Sequence, residues 1–259
     1  MADFKIDLTE EFPHLNQAPI VEAVIEVLAR AGVALEEQSL TEELKRKLPD
    51  YSVPVRQQEI EFTTKFSADK QPEHAVREPI WKGMLVHSAD NRYVGQFNRD
   101  GFIFSRLPPY ENWNKFSSEA LRLWQIYSEL ARPLEGRRLG LRYINRLMIP
   151  VQGKTVLEDY LRTPPCRPYG LPVEFASFMH NDFFKVPDHP YGARILQMIE
   201  PSPNPGASEV GLILDIDAFT VYPFDVDKVD LPNILANLRW LKNKIFFGII
   251  AEQRLEKLK

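Results

Sequence analysis

The chain has 259 residues, 44% hydrophobic and 26% charged, enough for one large domain or two closely joined ones. Its net charge of −4, with both signs scattered, creates no general field towards nucleic acid or an anionic membrane. The longest apolar stretch, 245–251, is far below the roughly 20 residues that cross a bilayer, so a soluble protein is expected. Cys166 is the only cysteine, which excludes an internal disulfide and a cysteine metal cluster and makes a reducing cytosol the expected location. Its setting, Pro164 Pro165 Cys166 Arg167 Pro168, reads as a loop and lacks the partners of a nucleophilic thiol. Asp3, Asp7, Glu10 and Glu11 occupy the place of a basic, then apolar, leader, and no signal peptide is expected.

In chain order, the β-branched run after Pro19, from Ile20 to Leu28, predicts a central strand. Ser39 and Glu42 have capping-box spacing and predict a short helix that stops before Pro49. Strands are predicted at 55–66, 80–88 and 93–106, the last folded into a hairpin at Asn98 Arg99 Asp100 Gly101. A long amphipathic helix follows at 111–131, with Phe116, Ala120, Leu123, Trp124, Tyr127 and Leu130 on its apolar face. Tyr110 and Trp113 at its start read as a hydrophobic staple. The order in this half is β-α-β-β-β-β-α.

The second half opens with a long alternating strand at 138–149, then a short helix at 155–161. Strands are predicted at 173–184, 193–200 and 209–221, separated by proline-rich loops at 187–190 and 201–208. A second long helix runs from 231 to the C-terminus, with Ile234, Leu235, Leu238, Leu241, Ile245 and Ile249 facing the core. The two halves close alike: Gly101 to Tyr110 leaves a Phe-rich strand through a proline–tyrosine exit into a helix, and so does Ala218 to Phe224. Val94 Gly95 and Val210 Gly211 lead into these exits at nearly the same distance. The fold class read from this is α+β: a duplicated β-α-β-β-β-α unit forming one continuous, mostly antiparallel sheet with two long helices on one face. The chain is then a single module, 1–259, made of repeats 15–132 and 137–259.

Three segments carry a resemblance: Ala18 Pro19 Ile20 Val21 Glu22 Ala23, Phe104 to Trp113, and Arg138 to Arg146. They resemble the signature segments of a sporadically distributed prokaryotic family of uncharacterised proteins, and the likeness spans nearly the whole chain. The resemblance implies this order of segments and an occurrence in bacteria and archaea, and brings no reaction, cofactor or catalytic residue. The duplicated unit is also similar in element order to the helix-grip, saddle-like sheets of the TATA-binding protein class, a likeness of shape alone.

If a pseudo-twofold axis relates the halves, their first strands meet antiparallel at the centre of the sheet. Setting Val24 opposite Ile144 then places Glu22 opposite Arg146 and Glu26 opposite Arg142, on one face. Ala23, Ile25, Tyr143 and Asn145 point to the other. The charged face is either solvated, its ion pairs setting register, or a site where Arg142 and Arg146, held by Glu22 and Glu26, clamp a phosphate or carboxylate. Asp215 and Asp217 would extend such a site, with Mg²⁺ ligation as one use and simple alternation as the plain reading.

Other chemistry has less support. His87, His180 and His189 lack metal-ligand spacing, and no P-loop, G-x-G-x-x-G turn or G-x-S-x-G elbow occurs. No catalytic residue, metal or cofactor is assigned, and the reading leans away from an enzyme. The leading expectation is a binding or protein-interaction module acting with a neighbouring gene product or with itself. The alternatives are an enzyme or sensor for a phosphorylated small molecule, using the Arg/Glu/Asp-lined sheet face, and, less favoured, nucleic-acid binding by the saddle, where Arg137 adds to the basic cluster. No membrane partner is expected.

Overall fold

The computed structural model describes residues 4–60, 62–67, 70–76, 78–150, 156–166, 168–170, 177–200 and 208–259, with backbone alone for 62–67 and 70–76. Of the expected loops and elements, 61, 155, 167, 171–176 and 201–207 lie outside the described residues.

The elements are β1 (Ile20–Arg30), α1 (Glu37–Lys47), β2 (Val55–Glu59), β3 (Phe62–Ser67), β4 (Lys70–Val76), β5 (Ile80–His87), β6 (Tyr93–Asn98), β7 (Gly101–Arg106) and α2 (Trp113–Ala131). Then come β8 (Glu135–Pro150), a 3₁₀ turn at Leu157–Asp159, β9 (Met179–Lys185), β10 (Tyr191–Glu200), β11 (Glu209–Thr220), β12 (Phe224–Asp225), α3 (Leu231–Ile249) and α4 (Glu252–Leu258). The fold is α+β. One large open sheet runs in the order β2-β5-β6-β7-β1-β8-β11-β10-β9, with β12 beside β8, while β3 and β4 form a separate hairpin.

The first strands of the two halves do pair antiparallel at the centre, β1 against β8. Alternation makes this strand pair two-faced. Ala23, Ile25, Val27, Leu139, Leu141 and Tyr143 are buried on an apolar face, while Glu22, Glu26, Arg138, Arg142 and Arg146 share the opposite, charged face. The register differs from the expected one by two residues: Val24 faces Arg142, Glu22 faces Ile144 and Glu26 faces Gly140. An even slip keeps every side chain on its face. In this register the guanidinium of Arg138 lies across Gly140, where a Cβ would meet it, and reaches Glu26.

Helix α2 begins at the Asn112 cap, whose side chain accepts from the Lys115 amide at 2.9 Å. It packs Phe116 against Phe104 and Tyr143, with ring centroids 5.8 and 6.3 Å apart, and Tyr127 donates to the Asn98 carbonyl at 3.1 Å. In α3, Leu235, Leu238 and Leu241 join the same core, and Asn237 donates to the Tyr191 hydroxyl at 3.1 Å.

Several expectations need correcting. The strand expected at 55–66 is divided between β2 in the large sheet and β3 in the hairpin, and β4 adds a strand, so the first half is β-α-β-β-β-β-β-β-α. Its run Arg56 to Glu59 offers no apolar side to bury, and most of β2 is exposed. Helix α1 starts at Glu37, and no side chain caps it. Ser39 therefore lies inside the helix, Thr41 turns its hydroxyl back to the Glu37 carbonyl at 2.7 Å, and Glu37 sits where the helix dipole favours an acid. The expected helix at 155–161 is only the 3₁₀ turn, and the last helix breaks at Ile250, for one shared reason. Leu161 and Ile250 form a β-bridge: Arg162 donates its amide to Ile249 O at 2.8 Å, and Ala251 donates to Tyr160 O at 2.9 Å. Those groups leave both helical ladders.

Candidate functional site

On the charged face, every arginine of β8 is matched by an acid. Arg138 donates to both oxygens of Asp217, at 2.8 and 2.6 Å, and also to Glu26. Arg142 forks onto Asp215 through Nε and Nη2, at 2.8 and 2.7 Å, and Arg146 lies 2.8 Å from Glu200. Gly211 leaves the space for that last pair, since a Cβ there would meet both Arg146 and Glu200. The hydrogen bond to Asp215 holds the Arg142 guanidinium above its usual pKa. Burial pushes the Asp217 carboxyl up, and Arg138 offsets only part of that. The expected pairings of Glu22 with Arg146 and Glu26 with Arg142 do not form, because the two-residue slip hands the arginines to β11 and β10. The six expected site residues thus share a face, but only Arg142 and Asp215 pair with each other, while Glu26 and Asp217 meet Arg138 and Arg146 meets Glu200. Asp215 and Asp217 each face an arginine, and among the described residues no group of three or more His, Cys, Asp or Glu is placed to hold a metal ion.

The opposite side of the same strands carries a cleft of about 690 Å³. Its floor is Tyr143 and Asn145 of β8, with Ile20 at the start of β1. One wall is the turn into α2, Tyr110 to Trp113. The second is a stripe of α3 at helical spacing, Ala236, Arg239, Trp240, Asn243, Phe246 and Phe247, with Lys242 beside it. The third is the N-terminal segment 8–20, strapped to α3. Glu10 accepts from the Trp240 indole at 2.9 Å and from Lys244 at 2.6 Å, and Phe12 stacks on Phe247 at 5.4 Å.

The polar groups of the cleft converge. Tyr110 and Tyr143 share a hydroxyl–hydroxyl hydrogen bond of 2.7 Å. Burial raises both phenols, Tyr110 to about 12 and Tyr143 well above its ordinary value, so both stay protonated at neutral pH. Asn145 donates to the Leu214 carbonyl at 3.0 Å. Lys242 places its amine 3.9 Å from the centre of the Tyr143 ring, and Arg239 lies over Trp113 at 5.4 Å. Burial, helped by the Arg239 charge, pushes the Lys242 ammonium down to about 7. The ring face attracts the charged form and pulls the other way. Neither cation is ion-paired with a carboxylate among the described residues. Glu10 is tied to Lys244, and Glu111 to Lys115 and Arg106.

Compared with known proteins, the chain matches no family model, no curated protein and no solved structure. No helix among the described residues is long and apolar enough to cross a membrane.

Sequence reasoning placed Tyr143 and Asn145 on the correct face but missed Lys242, Arg239 and the N-terminal wall. One signal was present. In α3 the polar residues Arg239 and Asn243 interrupt an otherwise apolar stripe at i, i+3, i+4 and i+7. The staple assigned to Tyr110 and Trp113 is partly seen, since Tyr110 and Trp113 both meet Phe116, at 6.0 and 6.2 Å, but both also line the cleft.

Proposed function

We propose that this protein is a binding module for a small anionic ligand with an aromatic or apolar body, seated in the cleft between α3 and the apolar face of β8. One observation carries the reading: Arg239 and Lys242 are cations in a partly apolar cleft without a carboxylate partner among the described residues, whereas each β8 arginine of the charged face already has one. An anion entering the cleft meets two donors and aromatic walls. An anion approaching the other face meets Glu22, Glu26, Glu200, Asp215 and Asp217 around three arginines, with Arg194 bonded to Asn181. That balance also disfavours nucleic acid on the saddle.

The three segments behind the family resemblance supply much of this lining: Ala18 to Ile20, Tyr110 to Trp113, and Tyr143 with Asn145. We also read the halves as copies of one unit. In each, the first strand pairs with the last long strand, β1 with β7 and β8 with β11, and a 19-residue helix follows, α2 or α3. In this helix-grip arrangement the cleft lies at the seam between the copies.

Thermal-shift and calorimetric titration with phenyl phosphate, nucleotides and sugar phosphates tests the proposal. Arg239→Gln should weaken the best binder tenfold or more, as expected for a lost charge-assisted hydrogen bond of about 1.5–3 kcal/mol. Arg142→Gln should leave it unchanged. The opposite pattern would move the site to the charged face.

A second reading, protein interaction, is favoured by β9, an end strand of the sheet whose Met179, Phe183 and Phe184 are 65%, 68% and 52% exposed. Light scattering of the wild type and of Phe183→Lys would reveal self-association through that edge.

A further inference from the structure

We infer that the amine of Lys242 is a nucleophile that captures an aldehyde or ketone carbonyl of the anionic ligand as an imine. This rests on the cleft being the ligand site, and it narrows the ligand to one carrying both an anionic group and a carbonyl. The geometry supplies each requirement of such a reaction. The amine sits on α3, a 19-residue helix whose neighbouring residues Trp240 and Leu241 are buried, so its origin is fixed. Its head lies over the Tyr143 ring at a cleft that a ligand can enter, and among the described residues no ion pair would have to break first. Three residues earlier on the same helix, Arg239 offers a guanidinium one turn away, placed to hold the anionic group of the same ligand.

The chemistry balances without any further reactant. The neutral amine donates its lone pair to the carbonyl carbon, the C=O π bond breaks as the C–N bond forms, and one proton passes from nitrogen to oxygen to give a neutral carbinolamine. The nitrogen lone pair then expels the hydroxyl, which takes up a second proton and leaves as water while the nitrogen gives up its remaining proton, leaving a C=N bond; the net change is amine plus carbonyl to imine plus water. The two protons that the oxygen gains are the two that the amine nitrogen loses, so the Tyr110–Tyr143 hydroxyl pair is left unchanged. An amine must be neutral to attack, and an ordinary lysine is neutral in only about one molecule in a thousand or fewer at pH 7. Burial and Arg239 bring Lys242 to about 7, where the neutral fraction is large. The charged and titratable groups around the cleft are Arg239 of α3, Tyr143 of β8, Tyr110 and Glu111 of the α2 approach, and Glu10, Glu11 and His14 of the N-terminal segment. Glu10 and Glu111 are neutralised by other cations.

Two probes of nearly equal shape test the inference: pyridoxal 5′-phosphate, an anionic aromatic aldehyde, and pyridoxine 5′-phosphate, its alcohol. The full-length protein is treated with the aldehyde, reduced with borohydride and mapped by peptide mass spectrometry over pH 6–9. Lys242 should label at least tenfold faster than exposed lysines such as Lys115 and Lys228, with the rate rising through a midpoint near 7. The alcohol should protect it, and Lys242→Arg should lose that adduct. Labelling of Lys242 no faster than the exposed lysines overturns the inference. If the alcohol binds under that outcome, the anion site survives without the nucleophile. Selective labelling of Lys242 with no binding of the alcohol would instead keep the nucleophile and overturn the anion site.

Discussion

The two faces of the central strand pair use charge in opposite ways. On one face the arginines of β8 are paired across strands with acids of β1, β10 and β11, so each charge supports the register of its neighbour. On the other, only a residue away along the same strand, Tyr143 and Asn145 floor a cleft whose Lys242 and Arg239 are ion-paired with no carboxylate among the described residues. Compensated charge stabilises the sheet, whereas uncompensated charge costs stability and is retained where a ligand can supply the missing partner.

Three experiments would break or sharpen this contrast. The largest loss of stability is expected for Arg142→Ala, because Asp215, only 4% exposed, would lose both bonds of its fork. Urea unfolding should show a loss of about 1–3 kcal/mol, the cost of an orphaned buried group. An unchanged midpoint would mean that the charged face contributes nothing to the fold.

Lys242→Met should act in the opposite direction. The folded-state ammonium titrates near 7 and an unfolded lysine near 10.4, so the folded protein binds fewer protons between these values. The group's contribution therefore becomes more favourable as pH rises through that window, and its cost is greatest at and below pH 7. The variant should melt above the wild type at pH 6.5, with the gap narrowing by pH 9.5 in scanning calorimetry. A gap that stays constant with pH would show that the amine is not depressed.

The smallest effect belongs to Arg146 and Glu200, whose side chains are 42% and 44% exposed. A double-mutant cycle with Arg146→Ala and Glu200→Ala should give a coupling of about 0.2–1 kcal/mol, shrinking as salt is added. A larger, salt-insensitive coupling would make this end of the ladder a buried structural pair.

The antiparallel meeting of β1 and β8, and the side taken by each of their residues, were legible because period-two alternation is written into both segments. The register was not. In the observed register Arg138 crosses Gly140 to reach Glu26, and glycine spacing carries no charge pattern to read. The hairpin at Arg99 and Asp100 was legible from its turn residues, and Gly101 takes the positive φ of 154° that such a corner needs. The cleft was hidden for a different reason. One of its walls is a segment without regular secondary structure, held by contacts from Glu10 and Phe12 to residues more than two hundred positions away. Contacts at that separation leave no periodic trace, and the break at Ile250 likewise comes from a bridge to Leu161.

The amide of Gln17 donates to the carbonyl of Leu258 at 3.0 Å, beside the stretch that closes one side of the cleft. Anything fused after Lys259 therefore emerges beside the segment that walls the proposed pocket, where it can disturb that wall. Screening for ligands is best done with no tail there. The same proximity makes a circular permutant, with its new ends opened at the Asp188 turn, a direct way to ask whether the N-terminal wall must be tethered at both sides to keep the pocket shaped.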